Sequence, residues 1–335
     1  MMGKYRKTRK QKNKQKKIII ISTLSLLLMI TVGYAAFQTN LSITAKGNIK
    51  EKSRVIQAWD NLNQTDFHTD FYKENIVSAT FLDNADVPDN ATESWNVSED
   101  QKHGGVMAWV IPNNEDSTKY DLYIGAKDGV IANEHSMALF YNFTAIKNIN
   151  FNNNFDTSYV TNMASMFTYC TNLTSLDLSS FNTNNVTSMV SMFDGCSNLT
   201  DLNISNFKTG NVTDMAWMFS KVPTTNLNVS DFDTSKVTNM TGMFHQCSNL
   251  VSLDLSSFNT SQVTNMRQMF QDCKSLTELD LCSFDTRKVT DFFGTLAYAP
   301  NLKKVKVGSN WTTANADTTS MFDGSWISSV TTGEC

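Results

Sequence analysis

The stretch FDTSYVTNMASMFTYCTNLTSLDLSS, residues 155–180, is the first of six similar units that span residues 155–308. The units share the pattern F-[DN]-T-x-x-V-T-x-M-x-x-M-F-x-x-C-x-x-L-x-x-L-x-L-S-x, and their first phenylalanines are 26, 26, 25, 26 and 26 residues apart. These phenylalanines are Phe155, Phe181, Phe207, Phe232, Phe258 and Phe284. A period of this length with L-x-x-L-x-L is typical of a leucine-rich-repeat solenoid, in which each unit completes the core of its neighbour.

The letters of one unit predict a short helix followed by a short strand. A single helix face would carry the apolar residues of the first unit, because they recur at steps of three, three, one and three. They are Val160, Met163, Met166, Phe167 and Cys170. Thr161 is the predicted N-cap of this helix, and Leu176 and Leu178 alternate inwards on the predicted strand.

The predicted fold class is therefore an α/β solenoid, a right-handed stack of leucine-rich-repeat-like units with one short strand and one short helix per repeat of about 26 residues. A small β-containing N-terminal cap and an N-terminal transmembrane helix complete the prediction. The predicted division is a basic tail (1–17), a transmembrane anchor or signal peptide (18–37), a spacer (38–54), the cap (55–135), the solenoid (136–308) and a C-terminal cap (309–335).

The units FDTSYVTNMASMFTYCTNLTSLDLSSF and FDTSKVTNMTGMFHQCSNLVSLDLSSF resemble the repeats of BspA-like leucine-rich-repeat surface proteins of bacteria and some mucosal protists. The resemblance covers residues 136–308, and the preceding YDLYIGAKDGVIANEHSMALF also resembles the sequence ahead of the repeats in that family. It implies an extracellular, non-enzymatic binding role, often in adhesion. The resemblance does not select a ligand.

Charge is distributed unevenly along the chain. Nine of the 28 basic residues lie in the first 17 positions, and no acidic residue precedes Glu51. The remaining 19 basic side chains face 32 acidic ones in residues 18–335. A body this acidic has no electrostatic reason to bind nucleic acid, so no nucleic-acid partner is expected.

The uncharged segment from Ile18 to Phe37 has the length of a transmembrane helix and follows a basic flank. It predicts a membrane partner through Ile18–Phe37 and a single-pass membrane protein with a cytoplasmic N-terminus and extracellular repeats. Gly33 and Ala35 keep a cleaved signal peptide open as an alternative, in which case the protein would be secreted.

Residues 55–132 lack the repeat and contain three runs that predict strands, at 76–82, 106–111 and 120–124. Trp59, Trp95 and Trp109 are expected to pack in this cap. A sugar-binding surface built from these tryptophans is the alternative, because aromatic faces suit pyranose rings.

One position of the repeat is occupied by cysteine in four units, and by Val222 and Ala299 in two others. The four are Cys170, Cys196, Cys247 and Cys273. The replacements indicate a small apolar group, so buried free thiols are expected, with disulfides between adjacent units as the alternative. Cys335 is a candidate for an intermolecular bridge. Scattered histidines and the absence of C-x-x-C exclude a zinc ligand set, and no metal or cofactor is expected.

Residues that alternate with the inward leucines are predicted to point outwards and to form a polar, acidic binding face. They are Ser175, Asp201, Asn226, Ser252 and Glu278 in one row, and Asp177, Asn203, Asn228, Asp254 and Asp280 in the next. Calcium between Asp254 and Asp280 is a weaker alternative. Trp217, where Ser or Gly is usual, is a candidate contact on the helix face or a packing residue.

No G-x-S-x-G, H-E-x-x-H, phosphate loop or dinucleotide fingerprint occurs, so no enzyme activity is expected. The predicted function is that of a cell-surface binding or adhesion protein that recognises a protein or glycan through the outward strand residues. Two alternatives remain: a secreted glycan-active enzyme with its catalytic centre in residues 55–135, and a purely structural spacer.

Overall fold

The three strands predicted ahead of the repeats are present. The structure, a computed structural model, describes residues 53–59, 67–332 and 335. Strands β1 (Ile76–Leu82), β3 (Met107–Pro112) and β4 (Tyr120–Gly125) confirm the predicted strands. We use the name sheet region for the described residues from 53 to 132, and the name repeat region for residues 135–329.

The remaining elements are short. They are α1 (Asp70–Lys73), β2 (Glu93–Asn96), β5 (Val130–Ile131), β6 (Asn148–Asn150), β7 (Phe155–Asp156), β8 (Ser175–Asp177), β9 (Asp201–Asn203), β10 (Glu278–Leu281), β11 (Lys304–Val307) and β12 (Thr331–Thr332).

A mixed five-stranded sheet with the order β2-β3-β4-β1-β6 organises the sheet region. β2, β3 and β4 pair antiparallel, whereas β1 runs parallel to both β4 and β6. Ile76, Ala79 and Phe81 of β1 are buried. Because β6 already belongs to the repeat region, this sheet joins the two regions through main-chain hydrogen bonds.

Successive units of the repeat region pair in parallel with one another. β8 pairs with β9, β10 with β11, and β11 with β12. A second line of single parallel bridges joins positions 25 to 27 residues apart, at His135, Asn162, Ser188, Asp214, Asn239, Asn265, Asp291 and Asp317. The last of these bridges, between Asp291 and Asp317, shows that the pairing between units continues beyond residue 308.

The α/β solenoid prediction is wrong. Helix is nearly absent from the described residues, where α1 is outside the repeats, and the strands form small separate sheets. The segment predicted as a helix contains two left-handed residues four positions apart in each unit, and a right-handed helix cannot pass through such residues. These pairs include Ser165 and Tyr169, Ser191 and Gly195, Trp217 and Lys221, Gly242 and Gln246, and Gln268 and Asp272.

Backbone hydrogen bonds show what replaces the helix. The N–H groups of Ser165 and Phe167 donate to carbonyl oxygens of the next unit, at 2.8 and 3.0 Å. The N–H groups of Met166 and Thr168 donate instead to the carbonyl three residues earlier, at 3.3 and 3.1 Å. Tight turns therefore alternate with bonds between units, and the helical i to i−4 pattern does not form.

The apolar residues of the repeat are buried as predicted, although turns rather than helices carry them. Equivalent phenylalanines of neighbouring units stack nearly parallel along the core, with ring centroids 5.6 to 5.9 Å apart and tilts of 1 to 12°. They are Phe140, Phe167, Phe193, Phe219, Phe244 and Phe270. The incomplete unit before Phe155 also contributes Leu139, Phe143, Ile146, Ile149 and Phe151 to this core.

The prediction that Thr161 caps a helix is also wrong. Its hydroxyl donates to the carbonyl of Glu134 at 3.3 Å, and the hydroxyl of Thr187 donates to the carbonyl of Thr161 at 3.1 Å. The same contact continues through the equivalent threonines of later units. Threonine at this position therefore links units.

The predicted transmembrane segment Ile18–Phe37 lies outside the described residues. Within residues 53–59 and 67–332, no helix combines the length and the hydrophobicity that crossing a bilayer requires. By this finding, the prediction of a single-pass membrane protein is wrong.

The end of the chain is attached to the last units by a disulfide. Cys335 bonds to Cys282, so the predicted intermolecular bridge is replaced by an intramolecular one. Trp311 packs against the core and lies 5.4 Å from the ring of Phe292, whereas Trp326 is 78% exposed. Trp311 therefore helps to close this end of the core, and Trp326 does not.

Candidate functional site

Ten residues of the repeat region occupy equivalent outward positions of five units, on strands β8, β9 and β10 and at matching positions of the two units between β9 and β10, where no strand forms. We name them row A (Ser175, Asp201, Asn226, Ser252, Glu278) and row B (Asp177, Asn203, Asn228, Asp254, Asp280). All ten side chains are exposed, as the alternation with inward leucines predicts. Strand register aligns Ser175 with Asp201, and Asp177 with Asn203.

Row B side chains are held in place by hydrogen bonds from the backbone N–H two residues later. The Asp177 Oδ1 atom accepts the N–H of Ser179 at 2.9 Å, and the residues equivalent to Asp177 make the same contact at 3.0 to 3.2 Å. Asn203 also donates to the Asp177 carboxylate at 2.9 Å. A ligand that binds row B would therefore meet side chains already ordered, which lowers the entropic cost of binding.

Two of the row B carboxylates are stabilised in their charged form. The N–H and hydroxyl of Ser179 lower the pKa of Asp177, and the hydroxyl and N–H of Ser256 lower the pKa of Asp254. Both carboxylates are therefore negative at neutral pH, which favours a basic or neutral partner.

The rows extend further than the repeat alignment indicated. Lys304 and Lys306 of β11 continue them beyond Glu278 and Asp280, and Lys306 Nζ lies 3.8 Å from an Asp280 carboxylate oxygen. At the other end, the exposed Asn148 and Asn150 of β6 lie beside β8. In the sequence, polar residues on both sides of Val305 and of Ile149 follow the same apolar–polar alternation as the rows, and this pattern indicates both extensions.

Trp217 packs between units. Its φ of 59° is left-handed, and its ring lies against Gly242 of the next unit, where an added Cβ would come within 2.2 Å of the ring. The Trp217 and His245 rings also make a T-shaped contact, with centroids 5.2 Å apart. Because Trp217 is half-buried in these contacts, its prediction as a packing residue has direct structural support, whereas nothing shows it to be a ligand contact.

The tryptophans of the sheet region do not form a common surface. Trp109 is buried, Trp95 packs edge-on against Tyr72 at 5.2 Å, and Trp59 is 39% exposed. The expected packing role is correct for Trp109 and Trp95.

The four cysteines of the repeat are free and buried, as expected. Each thiol donates to a backbone carbonyl at 3.1 Å. Burial raises the pKa of Cys196 and of Cys247 to about 12, so these thiols stay protonated and unreactive at neutral pH.

No group of three or more potential ligands is placed to hold a metal ion in the described residues, which removes support for calcium between Asp254 and Asp280. Ser220 Oγ lies 3.5 Å from His245 Nδ1, but Ser220 is completely buried, so a substrate has no access to this hydroxyl.

Together, the parallel single bridges, the stacked phenylalanines and the exposed rows define a repeat protein built from short β pairs and turns. Residues 135–250 and 218–329 both match the family described as Mycoplasma protein of unknown function, DUF285, and together they cover more than half of the 335-residue chain. The chain belongs to this family. Neither the curated proteins nor the solved structures include a match to it.

Proposed function

We propose that this chain is a non-enzymatic binding protein that recognises a protein or a glycan through rows A and B. The observation that carries the proposal is the presence of ten exposed polar side chains at equivalent positions of five consecutive units. Extended faces of this kind are used by repeat proteins to contact partners. The repeat letters quoted above, which resemble those of BspA-like surface proteins, support the same role.

The composition of the rows suits a polar ligand. Asp and Asn oxygens accept hydrogen bonds, and the Asn amides donate them, so the face offers both kinds of partner at regular intervals. The carboxylates outnumber the bases within the ten residues, and Lys304 and Lys306 add positive charge only at one end.

The test replaces Asp177, Asn203, Asp254 and Asp280 with alanine in the full-length chain. The matched control replaces Asp156, Asn182, Asp233 and Asp285, which also accept the N–H two residues later but lie at another position of the unit. Both variants remove three carboxylates and one amide. Pull-down from surface extracts of host and bacterial cells, followed by titration of the captured partner, measures binding.

We expect the row variant to lose binding and the control to retain it, with both remaining folded. Equal binding by the row variant and the control would contradict rows A and B as the recognition face. Turnover of a glycan or peptide substrate by the unmodified chain would contradict the non-enzymatic role.

A further inference from the structure

A groove of about 650 Å³ lies where the sheet region meets the first units of the repeat region. The beginnings of β1, β4 and β6, three neighbouring parallel strands, contribute Ser78, Asp121, Tyr123 and Asn148. The loop 113–119 also lines it, and so do residues from the turns of the first repeats. It contains none of the ten residues of rows A and B, although Asn148, which extends the rows at this end, also lines it.

The polar groups of the groove are fixed before any ligand binds. Asp121 accepts hydrogen bonds from Ser78 Oγ at 2.5 Å and from Asn113 Nδ2 at 3.0 and 3.1 Å. Lys119 Nζ donates to the carbonyl of Glu74 at 3.0 Å and to Asn75 at 2.9 Å. Such support orders the lining side chains and reduces the entropy lost on binding.

Charge in the groove disfavours an anionic ligand. Its carboxylates outnumber its ammonium groups, with Glu74, Glu115, Asp116 and Asp121 against Lys119 and Lys147. Nucleic acids, sulfated glycans and sialylated glycans would therefore meet a net repulsive lining.

The lining also disfavours a peptide. β1 and β4 each have a strand on both sides, so neither can add an extended peptide as a further strand. Apolar pockets for anchoring side chains are lacking as well, since Val77 and Ala145 are the only aliphatic residues in the lining.

One aromatic ring is present among the planar amides and carboxylates. Tyr123 lines the groove, and its ring stacks on the buried Trp109 with centroids 5.8 Å apart and a tilt of 13°. The indole fixes the plane of the phenol. An aromatic ring beside convergent amide and carboxylate groups matches a ligand with apolar C–H faces and many hydroxyls.

We propose that this groove binds an uncharged saccharide. Asp121 and the amides of Asn113, Asn148 and Asn172 hydrogen-bond ring hydroxyls, and Tyr123 packs against a sugar face. This is a second recognition site in addition to rows A and B.

The test titrates the full-length chain with maltotetraose, cellotetraose and chitotetraose, and screens it on an array of uncharged glycans. A sialylated tetrasaccharide and a lysine-rich peptide are the comparison ligands. The variant Asp121→Asn keeps the shape of the groove but removes its central charge-assisted acceptor. The variant Asp89→Asn, in an exposed loop outside the groove, is the matched control.

We expect an uncharged saccharide to bind, and Asp121→Asn to weaken it about ten-fold, as for the loss of one charge-assisted hydrogen bond. Asp89→Asn and the alanine variant of row B should bind as the unmodified chain does. The proposal is overturned if no uncharged saccharide binds, if the sialylated glycan or the peptide binds instead, or if Asp121→Asn has no effect. Loss of saccharide binding in the row B variant alone would place the saccharide site on the rows. That result would contradict saccharide binding by the groove but would agree with the proposed function.

Discussion

The sheet region and the repeat region reach a buried core by different routes. In the repeat region the stacked phenylalanines each pack against their own equivalent one unit away. In the sheet region the contacts are not repeated in this way, for example Tyr72 against Trp95 and Trp109 against Tyr123. The repeat region therefore presents equivalent outward positions several times, which suits an extended face, whereas the groove forms where the sheet region meets the first repeat units.

Among the substitutions that test this comparison, one in the phenylalanine stack should lower the free energy of unfolding the most. Phe193→Ala removes a fully buried ring that touches equivalents on both sides, and should lower the free energy of unfolding by about 4 kcal/mol. Chemical denaturation measures this change. Phe71→Ala in the sheet region is the control, since that side chain is 56% exposed and should cost less than about 1 kcal/mol. Equal costs for the two variants would contradict the stack.

Buried His68 should make the sheet region sensitive to acid. Burial, followed by the charge of Lys73, lowers the pKa of His68 from 6.5 to about 3. Below pH 6.5 the unfolded chain takes up a proton that the folded chain does not, so stability falls as pH falls from 6.5. The loss is about 3 kcal/mol by pH 4.5, before most carboxylates titrate.

Unfolding measured between pH 7 and 4.5 checks this dependence. His68→Phe should flatten the profile. His245→Gln in the repeat region should change it less, because His245 is only half-buried and its pKa is lowered by burial against an opposing effect of Asp272. An unchanged slope in His68→Phe would rule out His68 as the source.

Gly242 provides a test of how the turns of neighbouring units pack against each other. Gly242→Ala places a Cβ within 2.2 to 2.6 Å of the Trp217 ring, at a φ of 58°, and should cost about 2 kcal/mol. Trp217→Ser, which restores the residue of the two preceding units, should recover about half of this cost because the clash is relieved while the left-handed strain remains.

Gly210→Ala is the control for this pair. Its φ is not left-handed, and the nearest atom is a carboxylate oxygen of Asp233, 2.9 Å away on a side chain that can move. A double-mutant cycle of unfolding free energies measures the coupling. Zero coupling between positions 217 and 242 would show that the indole does not pack on Gly242.

The smallest expected difference in stability is between substitutions of two threonines of one unit. Thr234 is buried, donates to the carbonyl of Asn259 at 3.0 Å and accepts its N–H at 2.8 Å. Thr234→Val leaves both backbone groups without this partner and should cost about 1.5 kcal/mol. Thr238→Val removes an exposed hydroxyl that donates at 3.2 Å and should cost about 0.5 kcal/mol or less. Thermal unfolding that ranks the two variants in the opposite order would contradict the assignment.

Much of the repeat region could be predicted from the sequence, because period and hydrophobicity report directly which side chains face inwards. Leu176, Met163 and Cys170 are buried as the pattern indicates, and the residues between the strand leucines are exposed. The prediction of helix failed because consecutive turns, each closed by a hydrogen bond to the carbonyl three residues earlier, also place residues three, four and seven positions apart on the core side of the chain. Ser165 and Tyr169 carry no signal of a left-handed backbone, unlike glycine.

The groove could not be predicted for a different reason. It depends on parallel pairing of β1 with β4 and β6, which brings Ser78, Asp121 and Asn148 together from distant parts of the chain. Local patterns predicted two of these strands, at 76–82 and 120–124, but no local pattern specifies which strands become neighbours.

Turns and hydrogen bonds between units, and not helices, form the segment of each repeat that precedes its strand position. Backbone NMR of the isotope-labelled chain at residues 186–196 tests this arrangement most directly, through chemical shifts and scalar couplings across hydrogen bonds. The account predicts a left-handed backbone at Ser191 and a coupling between the N–H of Phe193 and the carbonyl of Met218. Uninterrupted helical shifts through this segment, with bonds to the carbonyl four residues earlier, would contradict it.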